Sequence, residues 1–188
     1  MSFFDLKNAV IVDTETTGLD SKAELCEVGV IDAFTGEVLV DTLIKPSRPI
    51  PDDAAAIHGI SNDRVKDAPD WLSIYGYFIR AVFRKQIYAY NASFDQRIVT
   101  QTCELNGLPG ALRDWTDVMV PYSDVYGEPP KFKKRAGEGR WQKLVNAATQ
   151  QGIDISDLTA HRAVSDCEIT RRLMIHMNTK HIKTWSTK

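Results

Sequence analysis

Four consecutive apolar residues, Ala9, Val10, Ile11 and Val12, run straight into Asp13. A strand of that kind has no polar side to turn to water, so it belongs in a sheet covered on both faces. The rest of the chain supplies the strands and helices for such a sheet. Leu25 to Phe34 and Glu37 to Ile44 read as two more strands, and Thr35-Gly36 between them is turn chemistry that predicts a hairpin. Pro46, Pro49 and Pro51 predict an irregular loop. Pro69 then opens a helix running to about Arg84, with Trp71, Ile74, Tyr75, Phe78, Ile79 and Val82 at helical spacing. A short strand is expected over Gln86 to Tyr90 and a helix over Ser93 to Asn106, ended by Gly107. A strand near Leu112 to Trp115 precedes a helix that Asp117 can cap. Helices from about Trp141 to Gln151 and from Ala163 to Asn178 follow a Pro-, Gly- and Lys-rich loop over Gly127 to Gly139. Trp115 and Trp141 read as core residues, with partner contacts as the alternative. The alternation predicts an α/β fold with a mixed sheet.

The chain has 188 residues, 43% of them hydrophobic, which suits a single domain over residues 1–188 with a sizeable core. No apolar run approaches the length of a membrane span, and the first residues are not a secretory signal. Cys26, Cys103 and Cys167 are scattered and odd in number, so they read as reduced thiols of a cytoplasmic protein, without a disulfide or zinc framework. A net charge of −2 excludes no partner, because a nucleic-acid surface can be basic locally. Lys131, Lys133, Lys134, Arg135 and Arg140 form one such run, opposed only by Glu138. These five are candidate backbone contacts, and a solvated charge run is the competing reading.

Four acidic residues are hard to place as ordinary surface charge. Asp13 and Glu15 follow the buried strand at a spacing of two, so continued extension puts both on one side. Two anions side by side at the end of a core strand persist when a cation binds or one takes a proton. A solvated strand end, with Thr16, Thr17 and Gly18 as turn residues, is the alternative. Asp95 shares a helix face with Ile98, Val99, Thr102 and Leu105, although a first-turn carboxylate is often a cap or dipole contact. Asp166 shares a face with Ile169 and Leu173, and an inward Asp needs an Arg or a metal ion. His161 is expected in the loop before that helix, from where it approaches the same cluster.

These residues resemble a known family. Asp13-Thr14-Glu15-Thr16-Thr17-Gly18-Leu19, then Asn91-Ala92-Ser93-Phe94-Asp95, then His161-Arg162-Ala163 with Asp166, are similar to the three motifs of the DEDDh exonucleases. The resemblance runs from about Asn8 to Met177 and is strongest to the proofreading subunit of bacterial replicative polymerases and the exonuclease X group. It implies an RNase H-like fold: a five-stranded mixed sheet flanked by helices, with the second strand antiparallel to its neighbours.

It further implies a metal-dependent 3′→5′ exonuclease acting on DNA, single strands foremost, and releasing nucleoside 5′-monophosphates. Asp13, Glu15, Asp95 and Asp166 would hold two divalent cations, Mg²⁺ or Mn²⁺. His161 would be the general base, since an unperturbed imidazole titrates near pH ~6.5. Substrate contacts fall to Thr14, Thr16, Thr17, Gly18, Leu19, His58, Asn91 and Phe94. Core packing competes for Phe94 and Leu19, and weighs more for Phe94. A short helix with a turn glycine competes for the segment Ala56 to Ile60 that contains His58. An exoribonuclease and a non-catalytic nucleic-acid-binding module remain as alternatives. No long tail of the kind that ties the proofreading subunit to its polymerase follows the last helix, so a polymerase partner is not indicated. Oligomeric state stays open.

Overall fold

The computed structural model describes residues 3–110, 115–129, 139–179 and 182–185. Strands β1 (Ala9–Thr16), β2 (Leu25–Asp32) and β3 (Val38–Leu43) come first, followed by helices α1 (Asp52–His58), α2 (Asn62–Val65) and α3 (Trp71–Val82). Then come β4 (Gln86–Ala89), α4 (Ala92–Leu105), β5 (Thr116–Asp117), α5 (Met119–Tyr126), α6 (Leu144–Gln151) and α7 (Ala163–Asn178). The sheet order is β3-β2-β1-β4-β5. β2 is antiparallel to both β1 and β3, whereas β4 runs parallel to β1 and to β5. This is the five-stranded mixed sheet of the RNase H-like fold, as the motifs imply.

Alternation along the strands divides the core in two. Val10, Val12, Val28 and Val30 pack against Trp71, Phe78 and Val82 of α3 and Ile98 and Val99 of α4. Ala9, Ile11 and Ile31 face the other way, onto Tyr122 of α5, Ala147 of α6 and Leu173, Met174 and Met177 of α7. β1 is therefore covered on both sides. Its second half carries Asp13 and Glu15 within the sheet, still paired with β2.

Several boundaries differ from the sequence reading. Helix α3 starts at Trp71, because Asp70 is its cap and accepts the Ser73 N–H at 2.9 Å. The loop expected around Pro51 leads directly into α1, with Pro51 as its N-cap. The expected strand over Leu112 to Trp115 lies mostly outside the described residues, and β5 begins one residue later at Thr116. Asp117 does accept the Val120 N–H at 2.9 Å, and its other oxygen accepts the Ala92 N–H at the start of α4. Trp115 is buried, but Trp141 is 58% exposed, which corrects its placement in the core. The backbone at Lys143 is still extended, so α6 begins only at Leu144 and Trp141 precedes it. Among the described residues no helix is long and apolar enough to cross a membrane.

Candidate active site

Asp13 and Glu15 lie on β1 opposite Gly29 and Glu27 of β2. By strand alternation their side chains take the α7 face, together with Ile11, and Thr14 takes the α4 face. There the Thr14 hydroxyl donates to Asp95 Oδ1 at 2.7 Å, tying the first turn of α4 to the strand. Asp95 is only 4% exposed. From the other layer α7 delivers Asp166, also buried, and the turn before it delivers His161. One ligand atom each from Glu15, His161 and Asp166 lie within 4.8 Å of one another. His161 sits at φ 61° and its N–H donates to Asp166 Oδ2 at 3.2 Å. The loop placement expected for His161 is what the structure has.

Crowding and burial leave these acids short of solvation. Burial pushes Asp13 well above the usual carboxylate range, with Asp95, Asp166, Glu15 and Glu27 adding to the rise. Glu15 is pushed up to about 8, first by burial and then by Asp166, Glu27 and Asp95, with Arg162 pulling the other way. Burial raises Asp95 to about 7 against the hydrogen bond from Thr14. Asp166 is raised to about 6, again by burial, with His161 opposing. Asp166 Oδ1 is buried and has no hydrogen-bond partner among the described residues. An oxygen-rich set with an orphaned inward acceptor fits a hard divalent cation such as Mg²⁺ or Mn²⁺.

Beside the cluster lies a cleft of about 650 Å³ that Glu15 and Thr14 share. Leu19, 78% exposed, and Ile57 stand on its walls with Phe94, while Thr16, Thr17, Gly18 and His58 complete the side nearest β1. Thr16 and Thr17 spend their hydroxyls within the turn: Thr16 donates to Gly18 O at 2.8 Å, and Thr17 accepts the Glu24 N–H at 2.9 Å. Leu19 is not core, so packing is excluded for it. Phe94 does both jobs, packing against the α3–α4 core and lining the cleft. His58 is buried: Nδ1 accepts the Ile60 N–H at 3.1 Å, leaving Nε2 to donate to Thr16 O at 3.2 Å. Its segment is a short helix, α1, closed by Gly59, and it lines the cleft. Asn91 is the exposed N-cap residue of α4 and lies outside the cleft lining. Arg140 pairs with Glu128 at 2.6 Å, and Lys131, Lys133, Lys134 and Arg135 lie outside the described residues.

Two residues of this region were not singled out from sequence, and a third was given no role. Glu27 is 1% exposed and takes the guanidinium of Arg162 and the Ala163 N–H. Gly29 leaves room for the start of α7: a Cβ there would lie 2.7 Å from Ala163 C and Val164 N. The available signal was Glu27 itself, a lone carboxylate inside the apolar strand β2.

Carboxylates from a central strand and two helices, with a histidine among them and an apolar-walled cleft beside them, suit a hydrolase that uses divalent cations. Residues 10–174 match the RNase_T family, described as exonuclease, and the chain belongs to that exonuclease family. It is 39% identical over 167 residues to the uncharacterized exonuclease CP81 of Escherichia phage 186, covering 86% of this chain and 83% of that protein. It is 32% identical over 173 residues to exodeoxyribonuclease 10 of Escherichia coli K12, covering 90% of this chain and 68% of the relative. Exonuclease X, solved in complex with 5′-overhanging duplex DNA, superposes with a TM-score of 0.68 at 26% identity over 92% of each chain. The nuclease domain of 3′hExo, a DEDDh family member bound to rAMP, reaches 0.70 over 96% of each chain at 17% identity, a likeness of fold.

Proposed function

We propose that this exonuclease shortens DNA from its 3′ end, single strands foremost, one nucleoside 5′-monophosphate at a time. The observation that carries the reading is the convergence of Glu15, His161 and Asp166 within 4.8 Å at the edge of the Leu19–Phe94 cleft. The relatives named for deoxyribonuclease action and the DNA bound to exonuclease X support DNA over RNA. Residues 1–188 act as one domain in this reading, in the cytoplasm, and a polymerase partner is possible but not indicated.

Asp13, Glu15, Asp95 and Asp166 would hold two divalent cations, Mg²⁺ or Mn²⁺. Bound there, such ions neutralise charge gathering on phosphorus and make water a better nucleophile. His161 accepts the proton of the attacking water. The bond from phosphorus to the penultimate 3′-oxygen breaks, so the phosphate leaves on the terminal nucleotide and the shortened chain keeps a 3′-hydroxyl. Leu19, Phe94 and Ile57 offer apolar surface to the last bases. Such contact tolerates any base, as an enzyme working through all sequences requires. Thr16, Thr17 and Gly18 present their backbone along the same wall, His58 acts by fixing the Thr16 carbonyl, and Asn91, outside the cleft lining, remains a candidate contact. Arg140 and the preceding basic run remain candidates for backbone contacts.

The test incubates 3′-labelled and 5′-labelled oligonucleotides, DNA and RNA in parallel, with Mg²⁺ or with EDTA. Immediate release of the 3′ label as mononucleotide, with a descending ladder from the 5′-labelled DNA, is the expected result. Faster degradation of RNA would move the substrate to the exoribonuclease reading. Binding without cleavage would leave a non-catalytic module.

A further inference from the structure

Glu27 and Arg162 take no part in the reaction written above, yet together they fasten the turn that carries His161. Arg162 Nε donates to Glu27 Oε1 at 3.0 Å and Oε2 at 3.2 Å, and its Nη2 also reaches Oε1. The Ala163 N–H donates to Oε2 at 2.9 Å. One buried carboxylate thus holds a side chain and the backbone of consecutive residues. It does so from β2, directly opposite Glu15 in the register. Two residues further along that strand, Gly29 lets the Ala163–Val164 backbone settle on the sheet.

His161 immediately precedes this clamp and has a left-handed backbone, φ 61°. A residue with a Cβ keeps that conformation only when its surroundings impose it. On one side the imposition comes from its N–H bond to Asp166. On the other it comes from residues 162 and 163, which cannot turn without leaving Glu27. We infer that the Glu27–Arg162 pair is a positioning device: it holds the His161 turn in its strained conformation and so aims the imidazole at Glu15 and Asp166. The inference rests on the reading of His161 as the base. A guanidinium spanning both carboxylate oxygens fixes angle as well as distance, which an ammonium does not. The pair also serves Glu27, which without its cation would be one more uncompensated anion beside the cluster.

Two measurements test this, on wild type, Arg162→Met, Arg162→Lys and Glu27→Gln. The first is hydrogen exchange of the His161 amide in metal-free protein. The second is steady-state cleavage of a DNA oligonucleotide with Mg²⁺. In Arg162→Met, exchange of the His161 amide should accelerate and kcat should fall about 10-fold or more with KM within about 2-fold of normal, since misaimed groups cost rate rather than binding. Glu27→Gln should act in the same direction, and Arg162→Lys should recover kcat only in part. Unchanged exchange and unchanged kcat in folded Arg162→Met would overturn the inference. So would a raised KM with normal kcat, because Arg162 would then be a substrate contact. Should Glu27→Gln or Arg162→Met fail to fold, Arg162→Lys decides, because it keeps a cation on the buried Glu27 while losing the two-oxygen geometry, and unchanged exchange and kcat in it would then overturn the inference. If His161→Ala proves fully active, the reading of the base fails separately, and the amide exchange still reports on the clamp.

Discussion

Asp32, at one end of the β1–β2 strand pair, and Asp13, at its middle, meet opposite surroundings. Asp32, where β2 turns into β3, accepts the Phe34 N–H at 3.0 Å, the Thr35 N–H at 2.9 Å and the Thr35 hydroxyl at 3.1 Å, with Lys85 3.6 Å away. Desolvation raises its carboxyl, but those donors and the lysine outweigh it and hold Asp32 below its ordinary value. Asp13 is surrounded by Asp95, Asp166, Glu15 and Glu27, and is held far above. The fold satisfies Asp32 with its own donors, as it does Glu27 with Arg162, whereas it leaves the Asp13 cluster crowded and desolvated.

The largest way to break this contrast is to neutralise its acidic pole. Asp13→Asn should abolish exonuclease activity while the protein stays folded. In metal-free protein near pH 8 its melting temperature should rise by about 2–4 °C, the shift expected from roughly 1 kcal/mol of relieved repulsion in a domain of this size. Unfolding in step with loss of activity would instead make Asp13 structural. Next, His161→Ala should cut turnover by roughly 10²-fold or more and leave metal and substrate binding largely intact. Near-normal turnover would remove His161 from the mechanism.

Acid–base linkage sharpens the comparison further. Glu15, Asp95 and Asp166 hold protons more tightly in the folded protein than in the unfolded chain. Their contribution to metal-free stability is therefore full below the ordinary carboxyl range and lost as pH rises from 3.8, where the aspartates begin, to about 8, where Glu15 ends. Melting temperature without metal should fall across that window, and Mg²⁺ should restore it most at the alkaline end. Asp32 has the opposite sign: its contribution is present above its unfolded value and lost as pH falls through its lowered one. A flat melting profile without metal would contradict the picture of an unsatisfied cluster. The smallest effect belongs to Asp32→Ala, which should cost about 1 kcal/mol through its lost turn hydrogen bonds and leave turnover unchanged.

The two poles were also unequally legible in sequence. Ala9 to Val12 announced a doubly covered strand, and the Asp13, Asp95 and Asp166 patterns placed charge on apolar faces, because periodicity reports which way a side chain points. The five-stranded mixed sheet with its antiparallel second strand, and the grouping of Asp13, Asp95 and Asp166, came from the resemblance, since spacing within one element says nothing of its neighbours; the strand order came from the structure alone. Glu27 and Gly29 were missed for that reason: their meaning lies in what α7 brings against β2, 135 residues away from Glu27 at Arg162. Trp141 was misplaced because an aromatic residue just before a helix looks like its first core position. Thr14 was assigned to substrate, yet the structure shows its hydroxyl spent on Asp95.

Titration of Mn²⁺ into metal-free protein by calorimetry, comparing wild type, Asp13→Asn and Asp32→Ala, tests the central claim most directly. Saturable binding to wild type and Asp32→Ala, with loss or severe weakening in Asp13→Asn, is the predicted result. Equal binding by all three, or none by wild type, would contradict it.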